Sequence, residues 1–291
     1  MQITKGLRIV STLTSQSVIK CGKYELNYAD RTLIMGILNV NPDSFSDGGK
    51  YYDVDKAVAH AEEMVKQGAD IIDIGGESTR PGYTRISDEE EIKRIVPVIS
   101  EVAKRVEVPI SVDTYKSEVA KHALEAGAHI INDIWGAKAD PKMAQVAADY
   151  NVPIILMHNR HEPNYTNLIT DMISDLKESI SIAKAAGVRD DQIILDPGVG
   201  FGKTAAHNVE AIQHLDQLTN MGYPVLLATS RKGFIGQIVD APPTERMEGT
   251  AATVYAGIAQ GVQIVRVHDV LEIKRFVKMA DVLLGKHAFQ F

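Results

Sequence analysis

One cysteine, Cys21, is all the thiol chemistry available to this 291-residue chain. That excludes an internal disulfide, there is no CxxC pair, and the composition suits a reducing, cytoplasmic setting. No apolar run reaches the roughly 18 residues of a membrane span. The opening stretch MQITKGLRIVSTLTSQS has no apolar centre of the signal-peptide kind, so no leader is expected. HxH and HExxH are missing and the nine histidines are scattered, which argues against a tightly held zinc ion. No GxSxG elbow occurs. The run Gly198-Val199-Gly200-Phe201-Gly202-Lys203-Thr204 imitates a P-loop, but the required first glycine falls on Pro197. It reads as a flexible loop in which Phe201 can contact a ligand. Excess positive charge is also absent. A net charge of −7 disfavours nucleic-acid and anionic-membrane partners, yet leaves room for a basic pocket that takes a small anion.

What is present repeats. Leu33–Val40 is an unbroken apolar run of strand length, as expected of a strand buried on both faces. Within one residue it turns into Asn41-Pro42-Asp43-Ser44-Phe45-Ser46-Asp47-Gly48-Gly49, a polar loop carrying a lone aromatic. A helix over 53–67 follows, and the unit then recurs. Further strands are expected at 69–76, 109–114, 128–134, 152–158, 193–198, 224–230 and 263–269, each ahead of a helical pattern. The second helix is expected from about Asp88, with Asp88 as its N-cap, and the last over 271–284. Eight units at a mean spacing of roughly 33 residues, with no linker between them, predict an α/β fold of the (β/α)8 TIM-barrel type. A doubly wound open sheet is the structural runner-up. Residues 1–31, with an alternating strand at 24–28, read as a short N-terminal β-hairpin that lids one end. The chain is expected to be a single domain, with the barrel over 32–291.

In such a barrel the active site lies at the C-terminal ends of the strands. Here those ends carry Asn39; Glu77, Ser78, Thr79 and Arg80; Asp113 and Thr114; Asn132 and Asp133; His158 and Asn159; Asp196; Ser230, Arg231 and Lys232; and Arg266, His268 and Asp269. For one strand, polar residues at the end merely mark where solvent begins. For eight converging strands a site is the better reading. Asp113, Asn132 and Asp196 suit a neutral heterocycle with several N–H donors, such as a 2-amino-4-oxo-pyrimidine ring. Lys232, Arg266 and His268 lie where barrels often hold phosphate. Asn39 could hold an anion or a hydrated Mg²⁺ beside them. Asp73 and Glu77 are read as structural acids pairing inside the barrel, and Asp43, Ser44 and Ser46 as shaping a turn.

MGILNVNPDSFSDGG, DIIDIGGESTRPG, SVDT, NDI, DPGVGFGK, SRKGFIG and RVHDV, in that order over about 32–270, resemble the signatures of the dihydropteroate synthase family. The departures are Asn41, where Thr is more frequent, and Gly233, where many members carry Ser. The resemblance implies condensation of 6-hydroxymethyl-7,8-dihydropterin pyrophosphate with 4-aminobenzoate, with Mg²⁺ assisting. It assigns the pterin to Asp113, Asn132, Asp196, Lys232 and Arg266, and the pyrophosphate to Asn39, Arg266 and His268, with Asn39 beside the metal. It assigns aminobenzoate to Phe45, Thr79, Arg80, Pro81, Phe201, Lys232 and the backbone of Gly233. Asp47, Lys232 and Arg266 would be catalytic. Asp47 would stabilise a pterin cation under a closing loop. Homologues suggest a homodimer through the last helices. Two rivals are a pterin-binding barrel for methyl transfer to a corrinoid partner and an idle homologue. The first would not need the Ser-Arg-Lys and Arg-x-His anion set. The second should have lost one of Asp113, Asp196, Lys232 or Arg266.

Overall fold

The computed structural model describes residues 17–40, 50–77 and 85–286. Strands β1 (Val18–Cys21) and β2 (Tyr24–Asn27) form an antiparallel hairpin. Eight parallel strands follow: β3 (Leu33–Asn39), β4 (Ile71–Gly75), β5 (Ile110–Asp113), β6 (Ile130–Asp133), β7 (Ile154–Met157), β8 (Ile193–Asp196), β9 (Leu226–Leu227) and β10 (Ile264–Val267). They pair in the order β8-β7-β6-β5-β4-β3-β10-β9, and a bridge from Leu195 to Val225 brings the two ends together as a barrel.

Helices between the strands cover the outside: α1 (Lys50–Gln67), α2 (Asp88–Arg105), α3 (Ser117–Glu125), α4 (Met143–Asp149), α5 (Leu168–Ala185), α6 (Ala205–Gln213), α7 (Leu215–Thr219), α8 (Gly233–Val239), α9 (Met247–Ala259) and α10 (Val270–Leu283). The N-cap of α2 is Ser87 rather than Asp88. The Ser87 hydroxyl accepts the Glu90 N–H, which leaves the Asp88 and Glu89–Glu91 carboxylates in the first turn, where the helix dipole favours negative charge. The helical stretch after β8 breaks at His214 into α6 and α7. Gly36 lets α1 pack tightly on β3, since a Cβ there would lie 2.8 Å from Met64 Sδ.

Side chains alternate between two cores. Ile34, Ile72, Ile131, Leu156, Leu195 and Val265 face the helices. Leu33, Met35, Ile71, Ile130, Ile155, Ile194, Leu226 and Ile264 face the barrel axis, where Ile19, Cys21 and Leu26 of the hairpin pack against them. The hairpin therefore plugs the N-terminal end. Among the described residues no helix is long and apolar enough to cross a membrane.

Candidate active site

The axial face changes chemistry along the strands. Counting by twos from the apolar layer, Ile71 leads to Asp73, Ser111 to Asp113, Ile130 to Asn132, Ile155 to Met157, Ile194 to Asp196 and Ile264 to Arg266. Register sets Asp73 beside Ser111, Asp113 beside Asn132, and Met157 beside Asp196. A polar layer thus lies on the C-terminal side of the plugged apolar one.

Arg266 is its centre. Its Nε donates to Asp73 Oδ2 at 2.6 Å and its Nη2 to Asp113 Oδ2 at 2.7 Å. Asn132 Nδ2 donates to the same Asp73 oxygen at 3.2 Å. Asp73 Oδ1, Asp113 Oδ1 and Ser111 Oγ are buried with no partner, which is rare because an unmade hydrogen bond to a buried group costs about 1–3 kcal/mol. Desolvation pushes the Asp113 carboxyl up to about 7, with Arg266 pulling it down and Asp73 pushing it further up. Desolvation likewise raises Asp196 to about 6, against the Gly198 N–H that Asp196 Oδ1 accepts at 2.7 Å. Lys232 Nζ donates to Val199 O at 2.7 Å and lies 4.2 Å from the Phe201 ring centroid. Burial lowers Lys232 to about 8, while Asp196 pulls it back up. An apolar wall of Tyr115, Ile134 and Met157, with Trp135 and Phe201 packed on it, lines the mouth above these groups.

The turn that presents Lys232 is strained. Arg231 has a left-handed φ of 59°, which costs a non-glycine residue about 1–2 kcal/mol. Its conformation is held by the ion pair with Asp269, by the bond from its own N–H to Thr250 Oγ1 at 3.1 Å, and by Arg246 Nη1 donating to its carbonyl at 3.0 Å. Ser230 Oγ accepts the His268 N–H at 3.1 Å and sits 2.9 Å from His268 Nδ1. With the hydroxyl proton given to Nδ1, Nε2 carries the ring proton and is an anion donor.

A deep layer of acids, an amide and a guanidinium, capped by an apolar wall and a lysine, can hold a flat ring with several N–H groups. Residues 35–268 match the family of pterin binding enzymes. The dihydropteroate synthase of Bacillus subtilis is 59% identical over 94% of this chain and 96% of its own length. That of Clostridium beijerinckii is 57% identical over 92% of this chain and 100% of its own length. The chain belongs to the dihydropteroate synthases. A crystal structure of the Clostridium difficile synthase with pteroic acid superposes with a TM-score of 0.87 at 47% identity, over 89% of this chain and 98% of that one. The Xanthomonas albilineans synthase with 4-aminobenzoic acid gives 0.88 at 39% identity, over 94% and 99%.

In this synthase Asp113, Asn132, Asp196, Arg266 and Lys232 converge, with Phe201 against Lys232. Asn39 ends β3 opposite Gly75 and is half-buried. Phe45, Asp47, Thr79, Arg80 and Pro81 lie outside the described residues. Other strand-end candidates point elsewhere. Asp133 faces outward and accepts the Trp135 and Ala137 N–H groups. His158 faces α5 and bonds Asp175. Arg231 and Asp269 bind each other. Asp73, read as structural, sits in the same cluster as the pocket acids. The apolar wall residues Ile134 and Met157 went unnoticed in the sequence, and for Met157 parity from Ile155 was the available signal. The loop after β8 is not slack: a Cβ on Gly198, at φ 66°, would fall 1.8 Å from His158 O. The short α8, begun by Gly233, lies between β9 and α9. Nothing lies within 4 Å of a Cβ placed on Gly233, whose φ is not left-handed. Gly233→Ser should therefore stabilise the fold by about 0.5 kcal/mol by restricting the unfolded chain, read as a higher urea midpoint. A lower midpoint would refute the open space.

Proposed function

We propose that this chain condenses 6-hydroxymethyl-7,8-dihydropterin pyrophosphate with 4-aminobenzoate, giving dihydropteroate and pyrophosphate. The observation that carries the reading is the pair of partnerless buried oxygens, Asp73 Oδ1 and Asp113 Oδ1, beside Arg266. Such acceptors suit the ring N–H and exocyclic amine of a pterin. Asp113, Asn132 and Asp196 take the pterin's polar edge, the apolar wall takes its faces, and Lys232 and Arg266 supply positive charge. His268, with Asn39 and Arg266, takes the pyrophosphate. Lys232, Phe201 and the Gly233 backbone, with Phe45, Thr79, Arg80 and Pro81, surround the aminobenzoate.

Among the described residues no group of three His, Cys, Asp or Glu side chains is placed to hold a metal ion. Mg²⁺ needs no such cage, because it keeps several waters and takes one or two protein oxygens beside a substrate's phosphates. The half-buried Asn39 amide offers one oxygen of that kind, so the donor set fits a Mg²⁺ arriving with the pyrophosphate. When bound, the ion would neutralise charge on the leaving group.

The C–O bond to pyrophosphate breaks first, and its electron pair leaves with the oxygen. The methylene cation left behind is conjugated with the electron-rich dihydropterin, and Asp47 is assigned to stabilising it. The neutral aniline nitrogen then donates its lone pair to the methylene and loses a proton, so no strong general base is required. Exclusion of water protects the cation meanwhile.

The pH profile follows from the acids and the lysine. kcat/KM for the pterin substrate should rise between pH 6 and 7, as Asp196 and Asp113 become acceptors, and fall above about 8 as Lys232 loses its proton. A profile flat from pH 5 to 9 would remove these groups from binding. The function itself is tested by pyrophosphate release with the pterin substrate, Mg²⁺ and aminobenzoate omitted in turn. Dihydropteroate must form only with all the organic substrates present. Tight pterin binding without turnover would reject the synthase reading.

The family's homodimer is supported by Ile238, Val239, Met279 and Leu283 on α8 and α10. They are 63, 48, 58 and 64% exposed, high for large apolar side chains. The one thiol, Cys21, is buried and suits a reducing cytoplasm.

A further inference from the structure

The loop after β8 is gripped from both sides by lysines. Lys232 reaches its front through Val199 O. Lys203 reaches its back: Nζ lies 2.7 Å from His158 Nδ1 and donates to Gly198 O at 3.1 Å and Phe201 O at 3.2 Å. Burial lowers Lys203 to about 7 while Asp196 pulls it back up, and when the amine is protonated each of its three protons has an acceptor. His158 is fixed as that acceptor from behind. Its Nε2 sits 3.1 Å from Asp175 Oδ2, and a carboxylate can only accept, so Nε2 carries the ring proton and Nδ1 keeps its lone pair. Arg160 Nε donates to the same Asp175 oxygen at 2.7 Å. The backbone of the loop leaves no slack around this array. Gly198 and Gly202 both have left-handed φ, and a Cβ on Gly202 would lie 2.4 Å from Arg160 O. Tyr165 OH donates to Gly202 O at 2.7 Å.

We propose that Lys203 is a positioning residue for the second substrate: held by the His158–Asp175–Arg160 array, it fixes the carbonyls of Gly198 and Phe201 and so sets where the Phe201 ring and its Lys232 partner stand. Lys203 does not touch substrate. Its effect runs through one residue on each side: Gly198, whose N–H bonds Asp196, and Phe201, whose ring lies under Lys232. The Asp196 contact is also held by the strand itself, whereas the backbone of Phe201 belongs to the loop and its ring only packs on the wall of Tyr115, Ile134 and Met157 and against Lys232. Loss of the Lys203 ammonium should therefore displace the Phe201 side of the pocket more than the pterin side. The inference rests on the reading that Phe201 and Lys232 border the aminobenzoate.

The test compares Lys203→Met with Phe201→Ala in steady-state kinetics, with each substrate varied in turn. Both variants should raise KM for aminobenzoate at least ten-fold while KM for the pterin substrate stays within three-fold. If Phe201→Ala raises the aminobenzoate KM and Lys203→Met leaves it within two-fold of wild type, the positioning role is wrong and the pocket reading stands. If Phe201→Ala changes neither KM, the pocket reading fails and the proposal falls with it. An equal rise in both KM values for Lys203→Met marks a merely structural lysine and overturns the role. Should Lys203→Met fail to fold, His158→Gln and His158→Leu carry the same test. Gln retains an acceptor for Lys203 and should stay within three-fold for both substrates, while Leu should raise only the aminobenzoate KM ten-fold. Equal behaviour of the two would overturn the role.

Discussion

Asp113→Asn should lower kcat/KM for the pterin substrate by about 10²–10⁴ and, at pH 8, make the unliganded protein harder to unfold. The first effect combines the loss of one charge-assisted hydrogen bond to Asp113 Oδ1, about 1.5–3 kcal/mol, with about 1–3 kcal/mol for ligand N–H groups left facing an amide N–H that cannot accept. The second effect has the opposite sign because the site is costly for the fold. Desolvation, chiefly, holds the Asp113 carboxyl near 7 in the folded chain, against an ordinary value of 3.8. Between those values the folded chain binds more protons at this group than the unfolded chain does. Stability therefore falls as pH rises from about 4 to about 7, and stays reduced above. Asn lacks the charge, removes that slope, and keeps an oxygen for Arg266 Nη2. Urea unfolding at pH 5 and pH 8, beside steady-state kinetics, checks both halves. Retained kcat/KM would remove the carboxylate from pterin binding, and lower stability at pH 8 would show that Arg266 needs the second charge.

Lys116→Met is expected to destabilise the protein by about 3–5 kcal/mol, the usual result of stranding a buried charge. Lys116, Glu77 and Glu91 have side chains only 3, 3 and 1% exposed. Lys116 Nζ donates to Glu77 Oε2 at 2.7 Å, to Glu91 Oε2 at 2.8 Å and to Ile86 O at 2.8 Å. Tyr115 OH donates to the other Glu77 oxygen at 2.7 Å, and the Ile86 N–H to Glu77 Oε2 at 3.0 Å. Burial works against the ammonium, but its bonds to Glu77 and Glu91 outweigh that and hold Lys116 above its usual range. Two acids face one cation, and burial raises the Glu91 carboxyl, one oxygen of which has no partner. Glu91→Gln should accordingly cost less than about 1 kcal/mol, since it removes the surplus charge and keeps an acceptor for the lysine. Urea titrations of the two variants decide it. If Lys116→Met is as mild as Glu91→Gln, the cluster is not holding this part of the chain together.

The barrel was legible because its strands are apolar on both faces, so runs such as Ile71–Gly75 and Ile193–Asp196 stand out without alternation. What that continuity hides is which face each residue takes. At the end of a strand, Asn132 and Asp133 look equally like site residues, yet one faces the axis and the other turns back to bind the Trp135 and Ala137 N–H groups. His158 is lost to the outer face for the same reason, and Asp73 was undervalued because it stands mid-strand rather than at the end. The inward apolar layer, visible only once the hairpin is seen packing on Ile130, Ile155 and Ile194, supplies the missing parity. Short elements misled in a different way. Gly233-Phe234-Ile235-Gly236 has too much glycine to read as helix, and the seventh strand keeps only Leu226–Leu227 in the ladder, so neither propensity nor periodicity marks its limits.

The hairpin at the barrel floor also governs traffic. With Ile19, Cys21 and Leu26 filling one end, the described residues leave the C-terminal side of the strands as the approach to Asp73 and Arg266. Whatever occupies the level of Asp73 and Arg266 is then expected to arrive before anything seated higher, beside Phe201, and the two leave together once they are joined. The order of binding is then a property of depth, imposed by two short strands far from any bond that is made or broken.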